Sequence, residues 1–368
     1  MRIVLSGGGT GGHIYPALAI GKQVMEEAPD SSLLYIGSPK GLESRIVPAQ
    51  GIAFEPVEIT GFKRKLSYEN VRTVMRFLNG VARSKQLLRA FKPDAVVGTG
   101  GYVCGPVLYA AAKLGIPTLI HEQNAIAGLT NQFLSRYADT VAVSFPEAEG
   151  QFRRASRTLY TGNPCATNVA RADKEQGFAL LGIPPGSRIA LLVGGSRGAK
   201  AINDVMVDMV PLLGRLPDVH FVFVTGESYY EGTKSRIEAA APKLPDKMQV
   251  LPYLHRMPEV LAASRLVVGR SGASSLAELT ALGVPSILIP SPNVTNNHQE
   301  ANARSLAEAG AAEMILERDL SGAVLFERIG RIMNNPFVHE EMGAAAKALG
   351  KPDSAPAIVR ELRRLTGK

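Results

Sequence analysis

The chain has 368 residues, 45% hydrophobic and 20% charged, which is typical of a soluble globular protein and allows two domains with separate cores. Its two cysteines, Cys104 and Cys165, lack metal-binding or redox spacing, so we expect a reducing compartment and no disulfide scaffold. The net charge of +8 favours an anionic partner, and the sequence shows neither a signal-peptide pattern nor the run of about 20 apolar residues that a membrane span requires.

The first half of the chain alternates apolar strand patterns with helical patterns, beginning with Ile3-Val4-Leu5. This order predicts right-handed crossovers and a mainly parallel, doubly wound sheet, which binds ligands beyond the carboxyl ends of its strands. The predicted strands are 2–6, 32–37, 53–57, 94–98, 117–121, 140–145 and 158–161. The predicted helices are 12–27, 41–50, 69–91, 103–114, 127–137 and 146–153.

A glycine-rich loop, residues 6–13, follows the first strand and opens the first helix. Glycine lets backbone N–H groups approach an anion closely, and a helix N-terminus adds partial positive charge. The spacing of Gly7, Gly9 and Gly12 formally matches a dinucleotide fingerprint, but the second strand ends without the acidic residue that NAD requires. His13 closes the loop. A neutral imidazole there can act as a general base, and the alternative is a histidine that only caps its helix.

The charge is concentrated between residues 60 and 92, where nine basic residues accompany a single acid, Glu69. The basic residues are Lys63, Arg64, Lys65, Arg72, Arg76, Arg83, Lys85, Arg89 and Lys92. Apolar residues recur beside them at helical spacing: Val71, Val74, Met75, Leu78 and Val81. Such a helix can lie on an anionic bilayer, and the candidates for this contact are Lys63, Arg64, Lys65, Arg72, Met75 and Arg76. The alternative is a solvated basic face on a helix whose apolar side packs in the core.

Two further polar segments follow strands of the first half. Residues 98–102, Gly-Thr-Gly-Gly-Tyr, form a glycine turn that suits a second phosphate group or is an ordinary strand–helix turn. Residues 121–124, His-Glu-Gln-Asn, end a buried strand, where polar side chains need a ligand or a satisfied hydrogen-bond network. Asn124 suits a sugar hydroxyl. Glu122 is an alternative base, a partner that orients His13, or a buried cap.

The second half repeats the strand–helix plan after a turn signal at residues 162–164, Gly-Asn-Pro, which lies between the last strand of the first half and a new helix. We therefore expect domains over 1–162 and 163–353, with a C-terminal helix of about 354–368 that either closes the second domain or crosses back to the first. The predicted strands are 188–193, 219–225, 248–251, 265–269, 285–290 and 313–316. The predicted helices are 199–213, 229–240, 256–263, 273–282, 297–309 and 319–334.

Three segments of the second half are candidates for nucleotide and sugar contacts. A second glycine loop, residues 194–199, follows an apolar run and opens a helix, as the first loop does. Small residues after Arg270 open another helix, and Glu278, about 1.5 turns into it, could accept hydrogen bonds from two ribose hydroxyls. The alternative for Glu278 is a solvated helix residue. Residues 296–300 could contact a sugar or a base edge, or only cap a helix.

Together these motifs resemble the MurG family, the bacterial N-acetylglucosaminyltransferases of peptidoglycan synthesis. The motifs are Gly-Gly-Thr-Gly-Gly-His at 8–13, Gly-Thr-Gly-Gly-Tyr at 98–102, His-Glu-Gln-Asn at 121–124, Gly-Asn-Pro at 162–164, Gly-Gly-Ser-x-Gly-Ala at 194–199, Arg-Ser-Gly-Ala at 270–273 and Asn-His-Gln at 297–299. The match runs in order along essentially the whole chain. Each motif is shared with other glycosyltransferases of two Rossmann-like domains, and the ordered set is specific to the family.

The resemblance implies an α/β fold of two Rossmann-like doubly wound domains facing a cleft, the GT-B architecture. It also implies transfer of GlcNAc from UDP-GlcNAc, with inversion, to the C4 hydroxyl of MurNAc in lipid I, giving lipid II and UDP. No cofactor or metal is implied, and the sequence has no Asp-x-Asp pair to hold a metal on the diphosphate. From the cluster at 60–92 we predict peripheral attachment to an anionic phospholipid surface on the cytoplasmic face of the bacterial membrane. Cell-wall or division proteins are further expected partners.

By position, the resemblance implies His13 as the base, with Glu122 as the second choice. The implied donor-binding residues are Thr10, Gly11, Gly12, Asn124, Ser196, Arg197, Leu254, Ala273, Ser274, Ser275, Leu276, Glu278 and Gln299. The implied acceptor-binding residues are Gly100, Gly101 and Tyr102. Some members of the family have glutamine where this chain has Arg197. Some also have an arginine shortly after the Gly-Asn-Pro motif, where residues 165–167 of this chain contain none. The chain also has none of the tryptophan often found in the family's membrane-facing patch.

Three other functions fit parts of the sequence. Another UDP-sugar enzyme of the same fold, such as a UDP-GlcNAc 2-epimerase, would not need a lipid-linked acceptor. A nucleic-acid-binding protein is disfavoured, because the chain has no RNA-binding signature and only 6% aromatic residues to stack on bases. A non-catalytic scaffold at the division machinery would bind the donor without turning it over.

Overall fold

The computed structural model describes the chain except residues 61–67, 196–197 and 242–245, and for residues 68–72 it describes the backbone alone. The described residues divide into two compact units. The first unit consists of Met1–Thr167 and Lys351–Lys368, and the second consists of Asn168–Gly350. Each unit contains a parallel β-sheet with helices packed against it.

The strands of the first unit are β1 (Arg2–Ser6), β2 (Ser32–Gly37), β3 (Ala53–Pro56), β4 (Ala95–Gly98), β5 (Thr118–Glu122), β6 (Thr140–Val143) and β7 (Thr158–Tyr160). Those of the second unit are β8 (Arg188–Val193), β9 (Val219–Val224), β10 (Met248–Leu251), β11 (Leu266–Gly269), β12 (Ser286–Leu288) and β13 (Ala312–Met314). The order is β3-β2-β1-β4-β5-β6-β7 in the first sheet and β10-β9-β8-β11-β12-β13 in the second. In each sheet the chain reverses its direction of growth between two neighbouring strands: β1 and β4, or β8 and β11. A doubly wound sheet binds its ligands at that point.

The helices are α1 (Gly11–Glu27), α2 (Glu43–Ile46), α3 (Tyr68–Phe91), α4 (Cys104–Lys113), α5 (Leu129–Leu134), α6 (Cys165–Val169), α7 (Lys174–Leu181), α8 (Lys200–Met209), α9 (Tyr230–Ala240), α10 (Met257–Ala263), α11 (Ala273–Leu282), α12 (His298–Glu308), α13 (Gly322–Asn334), α14 (Pro336–Leu349) and α15 (Ser354–Thr366). Short 3₁₀ turns occupy Pro48–Gln50, Pro146–Gln151, Val210–Arg215, Glu227–Tyr229, Thr295–Asn297 and Glu317–Asp319.

Strand β1, in the interior of the first sheet, is buried on both faces, which is why its apolar run is continuous rather than alternating. Ile3 and Leu5 belong to one core cluster together with Ile358 and Leu362 of α15. Val4 points to the opposite core cluster, which α3 and α4 help to form. The sheet is therefore covered on both sides, and sheets of this kind bind ligands at the carboxyl ends of their strands.

The C-terminal helix belongs to the first unit, a choice that the sequence left open. Its apolar face is buried against α1 and the first sheet, and the buried Glu361 accepts a hydrogen bond of 2.7 Å from the Thr140 hydroxyl. The backbone N–H of Ala355 also donates to Thr167 Oγ1 at 3.0 Å. This bond links α15 to α6, and the first unit accordingly runs to Thr167, beyond the turn at 162–164 where the sequence placed the junction.

The predicted strands agree with the observed strands to within about two residues, and most predicted helices are present. The new helix expected after the turn at 162–164 is α6. The sequence reasoning missed α7 and α14. Local signals for both are visible, because Asp173 caps α7 by accepting from Glu175 N at 2.9 Å and Asn335-Pro336 opens α14 with a side-chain cap and a proline at the first helical position.

Candidate active site

The glycine loop after β1 meets the glycine turn after β4 at the carboxyl edge of the first sheet. The backbone N–H of Gly8 donates to the carbonyl oxygen of Gly100 at 3.2 Å. Gly101 has a φ of +85°, and a Cβ there would collide with the carbonyl group of Gly8. Glycine is required at position 101 for both its backbone conformation and this close approach. The structure thus brings together the predicted base loop and the predicted acceptor turn, with Tyr102 60% exposed beside them.

His13 is held by its own loop in one tautomer. Its Nδ1 lies 2.8 Å from the Gly8 carbonyl oxygen, and because a carbonyl only accepts, Nδ1 carries the hydrogen. Nε2 is left with its lone pair, close enough to Gly100 that a Cβ on that residue would lie 3.0 Å away. The Thr99 hydroxyl donates to the backbone oxygen of His13 at 2.6 Å. A half-buried histidine with a free Nε2 is a competent proton acceptor.

The other predicted residues of this loop lie at the start of α1. Thr10 is exposed and precedes the helix, and Gly11 and Gly12 form its first turn. The Thr10 carbonyl oxygen accepts from His13 N at 3.1 Å, which begins the helix. The loop therefore presents a helix N-terminus, suited to an anion, next to the imidazole.

Glu43, at the start of α2, is a site residue that sequence reasoning missed. Its side chain is fully buried and accepts hydrogen bonds from Gly9 N at 3.2 Å and Ser38 N at 3.0 Å. The glycine loop is fixed from the other side by Tyr35, whose buried hydroxyl donates to the Gly7 carbonyl oxygen at 2.7 Å. Burial raises the Tyr35 pKa well above its ordinary value, so the hydroxyl keeps its proton. A sequence signal for Glu43 existed in the glycines at 37 and 41, which make room for its side chain.

The turn after β4 is tied to the strand beside it by a thiol. Cys104 is fully buried, and its Sγ lies 3.0 Å from the carbonyl oxygens of Ser6 and Gly100. Burial raises the pKa of Cys104 to about 11, so the group is a neutral donor rather than a nucleophile.

The polar residues at the end of β5 form a satisfied network. Glu122 accepts from Asn124 N and Asn124 Nδ2 at 3.1 and 3.3 Å through one oxygen, and from Gly128 N and Asn131 Nδ2 at 2.9 Å each through the other. A carboxylate with four donors braces its loop, so the geometry favours the buried-cap role of Glu122 over that of a base. Asn124 is half-buried at the edge of this network.

His121, one residue earlier, is fully buried. Its Nε2 donates to the Gly162 carbonyl oxygen at 3.0 Å, and its Nδ1 accepts from Gln123 Nε2 at 2.9 Å. Burial lowers the pKa of His121 to about 4, so it is neutral and structural. It ties the end of β5 to the turn that follows β7.

In the second unit, the glycine loop after β8 approaches the end of β9. Gly198 has a φ of +73°, and a Cβ there would collide with the Thr225 carbonyl group. The predicted diphosphate contacts Ser196 and Arg197 lie outside the described residues. Gly194 and Gly195, which precede them, are described and follow β8 directly.

The segment after β11 and the start of α12 lie together at the carboxyl edge of the second sheet. The Ser271 hydroxyl donates to the Gln299 carbonyl oxygen at 2.7 Å, and Asn302 Nδ2 donates to the Ser271 carbonyl oxygen at 3.2 Å. The Gln299 side-chain oxygen accepts from Ser291 N at 2.9 Å, so its amide nitrogen is the group turned to other partners. Hydrogen bonds thus join the segment after Arg270, predicted to contact the diphosphate, to the start of α12, predicted to contact the sugar.

The start of α11 carries the small residues predicted for the diphosphate. Ala273 and Leu276 are buried, Ser275 is exposed, and Ser274 is half-buried. The Ser274 hydroxyl oxygen is inaccessible to solvent and has no hydrogen-bond partner among the described residues. Leu254, predicted near the base, is half-buried in the loop after β10.

Glu278 is half-buried within α11, and no described group donates a hydrogen bond to its carboxylate or pairs with it. Desolvation raises the pKa of Glu278 to about 7. A carboxylate kept from water without a partner is costly unless a ligand supplies the donors. Glu278 thus has the chemistry expected of a group that accepts hydrogen bonds from vicinal hydroxyls.

The basic stretch of the first unit is only partly described. Lys63, Arg64 and Lys65 lie outside the described residues, as does the side chain of Arg72, and Arg76 donates to Thr60 Oγ1 at 3.3 Å. The apolar residues that recur along α3 include both buried and exposed side chains. Val81 is buried in the core, whereas the exposed fractions of Val74, Met75 and Leu78 are 45%, 52% and 60%.

Aromatic residues extend this exposed apolar surface onto α5 and the residues just after it. Phe77 contacts Phe133 with ring centroids 6.4 Å apart, and Phe133 contacts Tyr137 at 5.6 Å. Phe133 and Tyr137 are each 37% exposed, and the Lys113 ammonium lies 5.5 Å from the Tyr137 ring. We call Val74, Met75, Leu78, Phe133 and Tyr137 the apolar patch. Exposed apolar side chains grouped beside basic residues are typical of a site that contacts a membrane or a protein.

The described residues contain no cluster of three or more histidine, cysteine, aspartate or glutamate side chains able to bind a metal ion. The same residues include no helix long and apolar enough to cross a membrane.

Glycosyltransferases share this fold of two Rossmann-like units with other UDP-sugar enzymes, and the matching family models identify the class as a two-domain glycosyltransferase. Residues 3–143 match the glycosyltransferase family 28 N-terminal domain, and residues 189–358 match the family's C-terminal domain. The chain is 53% identical to a Bacillus licheniformis protein and 50% identical to a Bacillus subtilis protein, over 99% of this chain and of each relative. Both relatives are named UDP-N-acetylglucosamine–N-acetylmuramyl-(pentapeptide) pyrophosphoryl-undecaprenol N-acetylglucosamine transferase.

The crystal structure of Acinetobacter baumannii MurG matches with a TM-score of 0.78 at 30% identity, over 99% of both chains. The chain belongs to the MurG family of glycosyltransferases. A UDP-GlcNAc 2-epimerase from Neisseria meningitidis, solved with UDP-GlcNAc bound, matches with a TM-score of 0.71 at 14% identity, over 99% of this chain and 100% of that one. At that identity the epimerase shares the fold alone.

Proposed function

We propose that the protein transfers GlcNAc from UDP-GlcNAc to the C4 hydroxyl of MurNAc in lipid I, giving lipid II and UDP. The observation that carries the proposed role of the site is the His13 tautomer, which leaves Nε2 free beside two glycine turns. The near-full-length identity to transferases named for this acceptor supports the choice of substrates.

In the proposed reaction, the acceptor C4 oxygen attacks C1 of GlcNAc while Nε2 of His13 takes the hydroxyl proton. The bond between C1 and the diphosphate oxygen breaks, and UDP leaves with the electron pair. One displacement converts the α-linked donor into a β-linked product. Before the next turnover, His13 returns its proton to solvent or to the leaving phosphate.

For the donor, we propose that the second unit binds UDP. The N-terminus of α11 would hold the diphosphate through backbone N–H groups, with the unpartnered Ser274 hydroxyl as a further donor. Glu278 would accept hydrogen bonds from the ribose, and Leu254 would contact uracil through its backbone. The remaining proposed donor contacts are Thr10, Gly11, Gly12, Asn124, Ser196, Arg197, Ala273, Ser275, Leu276 and Gln299.

For the acceptor, we propose that Gly100, Gly101 and Tyr102 contact the diphosphate of lipid I. The two glycines have positive φ values, and Tyr102 is exposed next to them. Backbone N–H groups of such turns bind anions without a bulky side chain in the way. This turn lies against the loop that holds His13.

For localisation, we propose peripheral attachment of the first unit to anionic phospholipid on the cytoplasmic face of the membrane. The apolar patch would enter the headgroup boundary while the basic residues of 60–92 contact lipid phosphates. The acceptor is itself anchored in lipid, so this attachment would keep the enzyme near its substrate.

The experiment that tests the proposed reaction measures UDP release from UDP-GlcNAc in EDTA, with and without a lipid I analogue. Release that depends on the analogue, together with a disaccharide product, is the expected result. UDP release or interconversion of the sugar without the analogue would instead indicate an epimerase. Binding of UDP-GlcNAc with no turnover under any acceptor condition would indicate a scaffold.

A further inference from the structure

Glu43 occupies a space that three glycines leave open for it. A Cβ on Gly37 would lie 2.7 Å from Cγ of Glu43, and Cβ atoms on Gly8 or Gly41 would collide with its carboxylate. For Gly41, the three nearest atoms all belong to Glu43. A fully buried carboxylate costs free energy unless its hydrogen bonds are satisfied, so its placement here has a specific use.

The Glu43 carboxylate contacts the peptide group between Gly8 and Gly9. The N–H of that peptide donates to Glu43 Oε2 at 3.2 Å, while its carbonyl oxygen accepts from His13 Nδ1 at 2.8 Å. A peptide group is planar and rigid, so fixing its N–H end fixes the direction of its carbonyl end. The second Glu43 oxygen accepts from Ser38 N at 3.0 Å, which anchors the carboxylate to the segment after β2.

We propose that Glu43 is a positioning residue for the reaction, acting on His13 through the Gly8–Gly9 peptide. The carboxylate orients this peptide group, and the peptide in turn holds the imidazole with Nε2 free. A carboxylate that accepts from the N–H also polarises the carbonyl, which strengthens the bond from Nδ1. The inference rests on the proposed function in one respect, the role of His13 as base.

The first test compares Glu43→Gln with the natural protein in the lipid I analogue assay. Glutamine keeps one acceptor but turns an NH₂ group toward one of the two backbone N–H groups, so one bond is lost. We expect kcat to fall about 10- to 100-fold, since a small misplacement of a reacting group has effects of this size. We expect the affinity for UDP, measured by calorimetry, to change less than twofold.

A matched control is Glu361→Gln, which alters another buried carboxylate of the same unit, one bonded to Thr140 and far along the chain from the loop. This variant should lower the melting temperature and leave kcat within about twofold of the natural value. Comparing the two variants separates loss of stability from loss of positioning.

Two readouts distinguish positioning from a general structural role. In a His13→Ala background, Glu43→Gln should lower kcat no further, because the residue acts through the missing imidazole. Nitrogen-15 spectra of the histidine rings should show His13 with its hydrogen on Nδ1 in the natural protein and a mixture of tautomers in Glu43→Gln.

Gly41→Ala provides a second variant if Glu43→Gln does not fold. The three atoms nearest to its new methyl group all belong to Glu43. Gly41→Ala should therefore lower kcat when Glu43 is present, and it should not change the kcat of Glu43→Ala. The inference would be overturned if folded Glu43→Gln and Gly41→Ala both kept the kcat of the natural protein. It would also be overturned if Glu43→Gln lowered kcat by the same factor in the presence of His13 and in the His13→Ala background. Near-normal turnover by His13→Ala would instead overturn the proposed base.

Discussion

The Nδ1 atom of His13 lies 2.8 Å from the carbonyl oxygen of Gly8, five residues earlier in the same loop. This contact decides which ring nitrogen carries the hydrogen, and so it decides which nitrogen can take a proton from a substrate. The loop and the base are therefore one unit of structure. Its glycines leave room for the close contacts with Glu43, Gly100 and Gly101 that surround the imidazole loop.

His13→Ala should lower kcat about 10²- to 10⁴-fold, the usual contribution of a general base. UDP affinity should change less than twofold, because His13 is not among the proposed donor contacts and those with uracil and ribose, Leu254 and Glu278, are in the second unit. The measurement is steady-state UDP release with saturating lipid I analogue, alongside calorimetry with UDP. The control is His220→Ala in β9, which should keep turnover within about twofold. Comparable turnover by both variants would reject His13 as the base.

Gly101→Ala should reduce both turnover and stability of the first unit. Its Cβ would collide with the Gly8 carbonyl group, and alanine is strained at a φ of +85°. Such overpacking costs about 1–3 kcal/mol and would also separate the two glycine turns. Thermal unfolding and the analogue assay measure the two effects.

Gly150→Ala is the matched control for Gly101→Ala. It places the same methyl group where no atom lies within 4 Å and where φ is not positive. It should preserve the melting temperature and activity. If Gly101→Ala behaves like this control, the close approach of the two turns has no functional importance.

The affinity for UDP-GlcNAc should fall as the pH drops below 7. Glu278 has a pKa of about 7, so at pH 6 only about a tenth of the free protein carries the ionised carboxylate that accepts from two hydroxyls. The apparent affinity should then fall by up to about tenfold between pH 8 and pH 6. Both phosphates of UDP-GlcNAc are esterified, so the ligand does not titrate in this range. Glu278→Gln should bind more weakly at pH 8 and show a flatter profile in calorimetry.

The same residue should lower the stability of the second unit at high pH. Between pH 4.5 and about 7 the folded state keeps a proton on Glu278 that the unfolded state has released, so stability falls as the pH rises through this window. The full cost is about 3 kcal/mol above pH 7, which Glu278→Gln removes. The variant should therefore raise the melting temperature at pH 8 and leave it nearly unchanged at pH 4.5. An equal change at both pH values would contradict the raised pKa.

Leu78→Glu should weaken binding to vesicles that contain anionic phospholipid. The 60% exposed Leu78 side chain lies in the apolar patch, and losing its burial in the headgroup region should reduce binding about tenfold or more. Co-sedimentation at low salt measures the effect. Phe337→Glu introduces the same charge at a 67% exposed aromatic residue of the second unit and should not alter binding. If the natural protein does not sediment with the vesicles, the proposed attachment is wrong.

Much of the fold follows from local patterns. The run Ile3-Val4-Leu5 predicts a strand buried on both faces, and the glycines of 6–13 and 194–199 mark the turns that follow two central strands. Alternating strands and helices then leave few topologies for a parallel sheet. The helices that were missed, α7 and α14, begin with side-chain caps, a local signal that carries no apolar periodicity.

The candidate site was predicted in its parts but not in its connections. His13, Gly101 and Glu278 stand out by residue type and position. Glu43 did not, because a glutamate in a short helix is ordinary until its surroundings are known. Glu122 was a candidate base, and only the structure shows that its carboxylate accepts four hydrogen bonds that brace its loop.

The sequence by itself determined the strands, the glycine turns, the chemistry available at their ends and the family. These properties depend on neighbouring residues, whose spacing is fixed by the covalent chain. Only the tertiary structure decided that Gly8 meets Gly100 and Gly101, that Glu43 holds the Gly8–Gly9 peptide, and that α15 returns to the first sheet. Each of these contacts joins segments far apart in the chain, and such contacts are specified by the packing of whole elements rather than by any local pattern.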